Sequence, residues 1–154
     1  MRGKADLSSG YFLARRGLDP ETGFVVLDAD AGPGGAWRHR WPALRLDTTH
    51  SVHDLPGLPF RPDSSDLPAA VAVPAYFAEY EQAFSLPVRR PVSVRAVRSG
   101  EDGRLLVDSS EGSWRARALV NATGTWSRPF WPAYPGREVF AGRQLHTAAY
   151  TGAD

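Results

Sequence analysis

The sequence contains no cysteine. That excludes disulfide frameworks, CxxC redox chemistry, thiolate metal sites and cysteine nucleophiles together. Charge of one sign is lacking as well: 18 Lys and Arg stand against 17 Asp and Glu, for a net charge of +1. Attraction to nucleic acid or an anionic membrane through bulk charge is therefore not expected. No apolar run approaches the roughly 18 residues that a membrane helix needs. The opening MRGKADLSSG lacks the hydrophobic core of a signal peptide. These absences lead to the expectation of a cytoplasmic chain that acts on small molecules, with neither a nucleic-acid nor a membrane partner. With 154 residues, 42% of them hydrophobic, it can bury a core, so wholesale disorder is excluded.

What is present is unevenly spread. Fifteen Gly and 13 Pro lie almost entirely outside the short apolar runs, so the chain is rich in turns. Leu7 to Leu18 has helical spacing, with Arg15, Arg16 and Gly17 as its C-terminus. Gly10 weakens that helix unless the backbone must pass close to something. Phe24 to Leu27 is apolar throughout and reads as a parallel strand buried on both faces. Residues 42–68 hold little periodicity, and a loop this long is functional or disordered as a rule. Ala69 to Phe84 reads as a helix with an apolar face of Tyr76, Phe77, Tyr80 and Phe84. Val92–Val97, Arg104–Val107 and Trp114–Val120 read as an antiparallel meander with one wet face, turning at Gly100–Gly103 and Ser109–Gly112. From Thr123 onward the chain reads as loop. Trp41, Trp126 and Trp131 stand in loop-like stretches near proline, where an aromatic ring either lines a cleft or packs on the proline.

Four stretches carry possible chemistry. Asp28 ends an apolar strand; a carboxylate there accepts hydrogen bonds from ribose hydroxyls in a dinucleotide fold, or is simply a turn residue, with Asp30 a nearby competitor. In Gly34-Gly35-Ala36-Trp37, followed by Arg38, paired glycines let the backbone approach a flat or charged ligand, or form a plain surface turn. Val120-Asn121-Ala122-Thr123-Gly124 runs a buried strand into small residues, which suits close approach of backbone N–H groups to a phosphate or ring edge, or an ordinary strand-end turn. The fourth is the string from Phe140 to Tyr150, with His146 inside it.

Together these residues resemble the flavin-containing monooxygenase family, the class B flavoprotein monooxygenases. Phe140, Gly142, His146 and Tyr150 fit that family's Phe-x-Gly-x-x-x-His motif with an aromatic four residues on. Baeyer–Villiger enzymes carry Trp at that last place. The Gly-Gly-x-Trp of Gly34–Trp37 and the Ala-Thr-Gly of Ala122–Gly124 are further family motifs, and the likeness runs from about Leu7 to Asp154. The resemblance implies an α/β, three-layer FAD-binding Rossmann-like fold: parallel sheet, helices and antiparallel β-meander. It implies FAD as cofactor and NADPH as reductant, with one oxygen atom of O₂ passed to a small-molecule substrate. By the same resemblance Asp28 holds the adenosine ribose, and Gly34, Gly35, Trp37 and Arg38 lie along the cofactor. Val94 offers a backbone contact to adenine. Ala122, Thr123 and Gly124 close over the cofactor, and His146 belongs to the linker toward an NADPH domain.

Two departures from the family are legible. The family's Gly-x-Gly-x-x-Gly places fall on Met1, Gly3 and Asp6, so only Gly3 is retained and the preceding strand is lacking. Asp28 nevertheless follows Asp6 at close to the ~20-residue spacing of the family's ribose-binding acid. Asp6 brings a carboxylate toward the pyrophosphate, where like charges ~4 Å apart cost on the order of 1 kcal/mol in water and several times more when desolvated. The second departure is length: no NADPH-binding Gly-rich loop follows. The expectation is thus a partial FAD-binding domain over residues 1–154, with 42–68 as a long loop over the flavin face and with impaired activity. The alternative is a non-catalytic product that binds a nucleotide or partner. A disulfide reductase on the same fold is disfavoured by the lack of cysteine.

Overall fold

The computed structural model describes residues 4–152. Helix α1 covers Lys4–Arg15 and ends where Gly17 turns left-handed at φ 84°. It starts and stops three residues earlier than the spacing predicts. Leu7, Gly10 and Tyr11 form its buried face at i, i+3 and i+4. Gly10 has its reason here: a Cβ at that position would already touch Leu86 at 3.4 Å and Phe24 at 3.5 Å, so the helix lies close on both. Helix α2 covers Ala69–Ala83 and buries Ala69, Ala72, Val73, Tyr76, Phe77 and Tyr80. That stripe supplies most of the core, which Leu7, Tyr11, Leu46, Leu55 and Leu86 complete. Full burial of a side chain such as Leu7, Val73 or Phe77 contributes about 1.5–3 kcal/mol.

A short parallel pair lies beside the helices. β1 (Val26–Leu27) pairs with β2 (Val88–Arg89) in the register Val26 to Val88 and Leu27 to Arg89. The expectation of a strand buried on both faces is corrected: both residues of β1 are only half-buried, because among the described residues β2 is the single strand beside it.

The meander forms a separate antiparallel sheet. β3 (Val94–Ser99), β4 (Leu105–Ser109) and β5 (Gly112–Ala116) stand in the order β3-β4-β5. Only the central β4 is well covered, with Val107 and Ser109 buried. β3 is exposed along almost its whole length, so the expected alternation of a wet and a dry face fails there. The expected third strand is also shorter at its C-terminal end. It stops at Ala116, and Leu119 and Val120 are exposed at 43% and 65%. The buried strand expected to lead into Ala122–Gly124 is thus an exposed connection, because β4 offers pairing partners only as far as Ala116.

The long loop is ordered against α2. Leu46 and Leu55 are buried, Leu46–Thr48 forms a 3-10 turn, and Arg45 bridges to Pro68. Two tyrosines of α2 hold it: the Tyr76 hydroxyl accepts from the Leu55 amide at 2.7 Å and donates to the Leu58 carbonyl at 2.5 Å. The Tyr80 hydroxyl donates to the Pro56 carbonyl at 2.7 Å. The loop is therefore a wall of the core, neither disordered nor detached.

Candidate functional site

The end of β1 is where the chain gathers buried charge. Asp28 donates its amide to the Arg89 carbonyl at 3.1 Å, and its own carbonyl accepts from Val92 at 2.7 Å, so its backbone is fixed by the β2 side. Its carboxylate accepts from the Arg90 Nε at 2.6 Å through Oδ2 and from the Asp30 amide at 3.1 Å through Oδ1. The other arm of Arg90 forms a fork to Glu81 of α2, at 2.6 and 2.8 Å. All three side chains are largely buried, with exposures of 10% for Asp28, 14% for Glu81 and 15% for Arg90. Burial opposes the Arg90 charge, but hydrogen bonds and attraction from Glu81 and Asp28 outweigh it and hold its pKa above the usual range.

The same small pocket is lined by Asp6, Leu7, Gly34, Gly35 and Phe77 as well as the triad. Burial pushes the Asp6 carboxyl upward; hydrogen bonds from backbone amides oppose this, the Asp28 charge adds to it and Arg90 reduces it. Asp28, Gly34 and Gly35 are thus brought together as expected. Gly34 also has a packing reason to be glycine. It sits at φ 113°, and a Cβ there would lie 2.6 Å from the Pro74 ring, so its lack of a side chain lets α2 pack against the turn.

Beyond that turn, Gly35–His39 forms a 3-10 turn. It delivers Trp37, Arg38, His39 and Arg40 in succession. Trp37 packs on the core. Arg38 lies back along the turn and donates to the Pro33 carbonyl at 3.5 Å. His39 pairs with Asp30 at 3.1 Å and stacks on Trp126 at 6.2 Å. A second pocket lies among Asp30, Ala36, His39, Trp126 and Ser127. Trp126 therefore lines a cleft, whereas Trp41 meets Tyr150 edge-on at 4.7 Å.

Val94, Ala122, Thr123, Gly124 and His146 line neither of these two pockets. Gly3 is outside the described residues. Val94 opens β3 and is exposed, Ala122 is half-buried, and Thr123 and Gly124 are exposed. The His146 Nδ1 accepts from the Ala148 amide at 3.1 Å and so caps the Thr147–Ala149 turn, with Trp131 6.4 Å away. Arg90, Glu81 and Arg40 were not found by sequence reasoning. The Arg90–Asp28 pair spans 62 positions, and no local pattern announces such a contact.

An acid at the end of a parallel strand, a glycine turn beside it and a meander are the parts of a dinucleotide-binding α/β fold. No family model matches the chain. Its relatives are nevertheless consistent. It is 27% identical to the CzcO-like oxidoreductase of Geobacillus kaustophilus, covering 96% of this chain and 41% of that protein. It is 31% identical to an FAD-dependent monooxygenase of Pyrenophora dematioidea, over 88% of this chain and 28% of the relative. Among solved structures it aligns with a Q193R H194T mutant of a flavin monooxygenase from Stenotrophomonas maltophilia at 44% identity and a TM-score of 0.77, over 96% of this chain and 44% of the other. It also aligns with a steroid monooxygenase bound to NADP at 25% identity and a TM-score of 0.63, over 96% of this chain and 29% of the other.

The chain is a relative of the flavin-containing monooxygenases over nearly its full length, and FAD and NADPH are the cofactors of that family. It spans about two fifths of the first curated relative's length. Its fold is of the expected class: mixed α/β, with a parallel sheet and a three-stranded antiparallel sheet. Among the described residues no helix is long and apolar enough to cross a membrane.

Proposed function

We propose that this chain is the FAD-binding part of an NAD(P)H-using flavin monooxygenase, and that its own residues grip the adenosine half of the cofactor at the end of β1. The observation that carries this reading is the Asp28 carboxylate, held rigid by Arg90 and by the Asp30 amide beside the Gly34–Gly35 turn. Each carboxylate oxygen has two lone pairs, and each spends one on the protein. The second lone pair of each suits a ribose hydroxyl, which donates to it, so the remaining acceptor sites fit the group. Trp37 and Arg38 would follow the cofactor outward along the 3-10 turn. Val94, Ala122, Thr123, Gly124 and His146 are proposed contacts from the remaining segments. When bound, the flavin supplies hydride and oxygen chemistry; the chain supplies binding, orientation and exclusion of water.

Asp6 works against this grip whenever it is ionised. It faces the pocket that Asp28 and Glu81 also line, with Arg90 the single cation there. The reading is tested by incubating the purified chain with FAD or FMN, desalting, and recording the absorbance. FAD should be retained with a shifted flavin band and FMN, which lacks the adenosine half, should be lost. Equal loss of both, or equal retention, would remove Asp28 from the cofactor site.

A further inference from the structure

Asp6 is an acid without a cation of its own. It stands in the first turn of α1 and lines one pocket with Asp28 at the end of β1, Glu81 of α2 and Arg90 just after β2. Arg90 is engaged by the other two acids, through one hydrogen bond to Asp28 and two to Glu81. Among the described residues no ion pair forms to Asp6. Lys4, the other charged side chain of that turn, does not line the pocket and donates to the His53 carbonyl at 2.6 Å.

The pocket has a volume of about 10 Å³, room for on the order of one water. Little solvent stands between its carboxylates, so the Asp28 charge acts on Asp6 and opposes its ionisation. What supports the ionised Asp6 is backbone: the Leu7 amide donates to its Oδ1 at 3.0 Å. An N–H in the first turn of a helix is the kind of donor that a phosphate takes. The chain's own carboxylate thus acts there as a phosphate would, with the same sign of charge.

We propose that Asp6 is a specificity-determining residue that stands in for a cofactor phosphate, excluding phosphates while it is ionised and admitting them once it takes up a proton. This rests on the FAD-binding reading above. An adenosine ribose on Asp28 carries its 5′ phosphates within the ~10 Å over which charges act at 0.1 M salt. FAD brings two phosphate charges and adenosine brings none. A proton on Asp6 removes its repulsion of the phosphates, and by reciprocity bound FAD favours that proton. FAD binding is therefore coupled to uptake of a proton from solvent, and adenosine binding is not. Protonation of Asp28 or Glu81 would act on both ligands alike, so the difference between the ligands isolates the phosphates.

The test is isothermal titration calorimetry of the parent chain and Asp6→Asn with FAD and with adenosine, in mild acid and in mild base, each in two buffers of different ionisation enthalpy. Circular dichroism checks the fold of each chain. The parent should bind FAD about tenfold more tightly in acid than in base and bind adenosine about equally in both. Its FAD enthalpy should vary with the buffer through a proton uptake that is absent with adenosine. Asp6→Asn should keep the tight FAD binding in both conditions and take up no proton. If Asp6→Asn does not fold, the parent's contrast between FAD and adenosine decides by itself. The same pH dependence for both ligands, or the parent's pH dependence in a folded Asp6→Asn, would overturn the proposal. A parent that binds neither ligand in either condition would overturn the underlying reading and the proposal with it, a result distinct from pH-independent binding of both ligands.

Discussion

At the scale of single residues, the energetics turn on two buried charged sites that face one pocket. Arg90 compensates both Asp28 and Glu81. Replacing it by Met leaves two carboxylates largely buried and unpaired, which should cost about 3 kcal/mol. Arg98, whose pair with Asp108 on the meander is exposed, should lose less than about 1 kcal/mol on the same replacement. Urea unfolding of both variants checks the contrast. Asp6 is the second site. Its pKa is raised in the folded chain, so the folded state binds its proton more tightly than the unfolded state does. The stability from that proton is complete below the ordinary Asp pKa and is lost as pH rises through the raised value. Asp6→Asn should therefore raise the melting temperature at neutral pH and leave it nearly unchanged in acid. Asp6→Gly should tighten FAD binding about tenfold at neutral pH by removing a like charge. A melting curve of Asp6→Asn that tracks the parent at every pH would refute the account of that carboxyl. The acid at Asp28 and the unusual acid at Asp6 were both legible in the sequence, one from the apolar run before it and the other from the glycine it replaces. The arginines were not. Arg90 finds its partners only when α2 and β1 meet, and Arg40 meets the Trp126 ring only when that residue returns across the turn.

At the scale of elements, local pattern foretold what local packing decides. Both helices follow their apolar stripes, and the meander follows its two turns. The reading failed where an element depends on a distant neighbour. Phe24–Leu27 looks doubly buried by composition, yet the paired segment is two residues long and half-covered, since among the described residues only β2 lies beside it. Leu119 and Val120 look like the end of a strand, yet among the described residues no strand pairs with them. Residues 42–68 look structureless because their order comes from tyrosine hydroxyls on α2, not from periodicity. Tyr76 makes two of those hydrogen bonds, and burial pushes its hydroxyl pKa upward, with the Leu55 amide opposing. Tyr76→Phe should cost about 2 kcal/mol, because the buried Leu55 amide loses its acceptor. Hydrogen exchange should quicken at Leu55 and leave the β4 amides unchanged. Uniform acceleration across the chain would mean that the loop is not an independent element.

At the scale of the whole molecule, coverage is uneven. The accessible surface is 10221 Å². A compact monomer of 16.8 kDa has about 7,600 Å². Much of the excess lies after β5, where Phe130, Tyr134, Val139 and Phe140 are 61–80% exposed. That segment carries the family's Phe-x-Gly-x-x-x-His motif, so the motif was legible in the sequence while its packing was not. The two helices, the ordered loop and the β1–β2 pair form the well-packed part, and they bring Asp28, Gly34 and Gly35 to one pocket. The central claim is that this part holds FAD by its adenosine end. The most direct test is an equilibrium titration of FAD against the parent chain and Asp28→Ala, followed by the change in flavin absorbance. The account predicts saturable one-to-one binding by the parent, tightening as pH falls and Asp6 takes up its proton, and at least about tenfold weaker binding by Asp28→Ala. Equal binding by the two chains, or no binding by the parent at any pH, would contradict it.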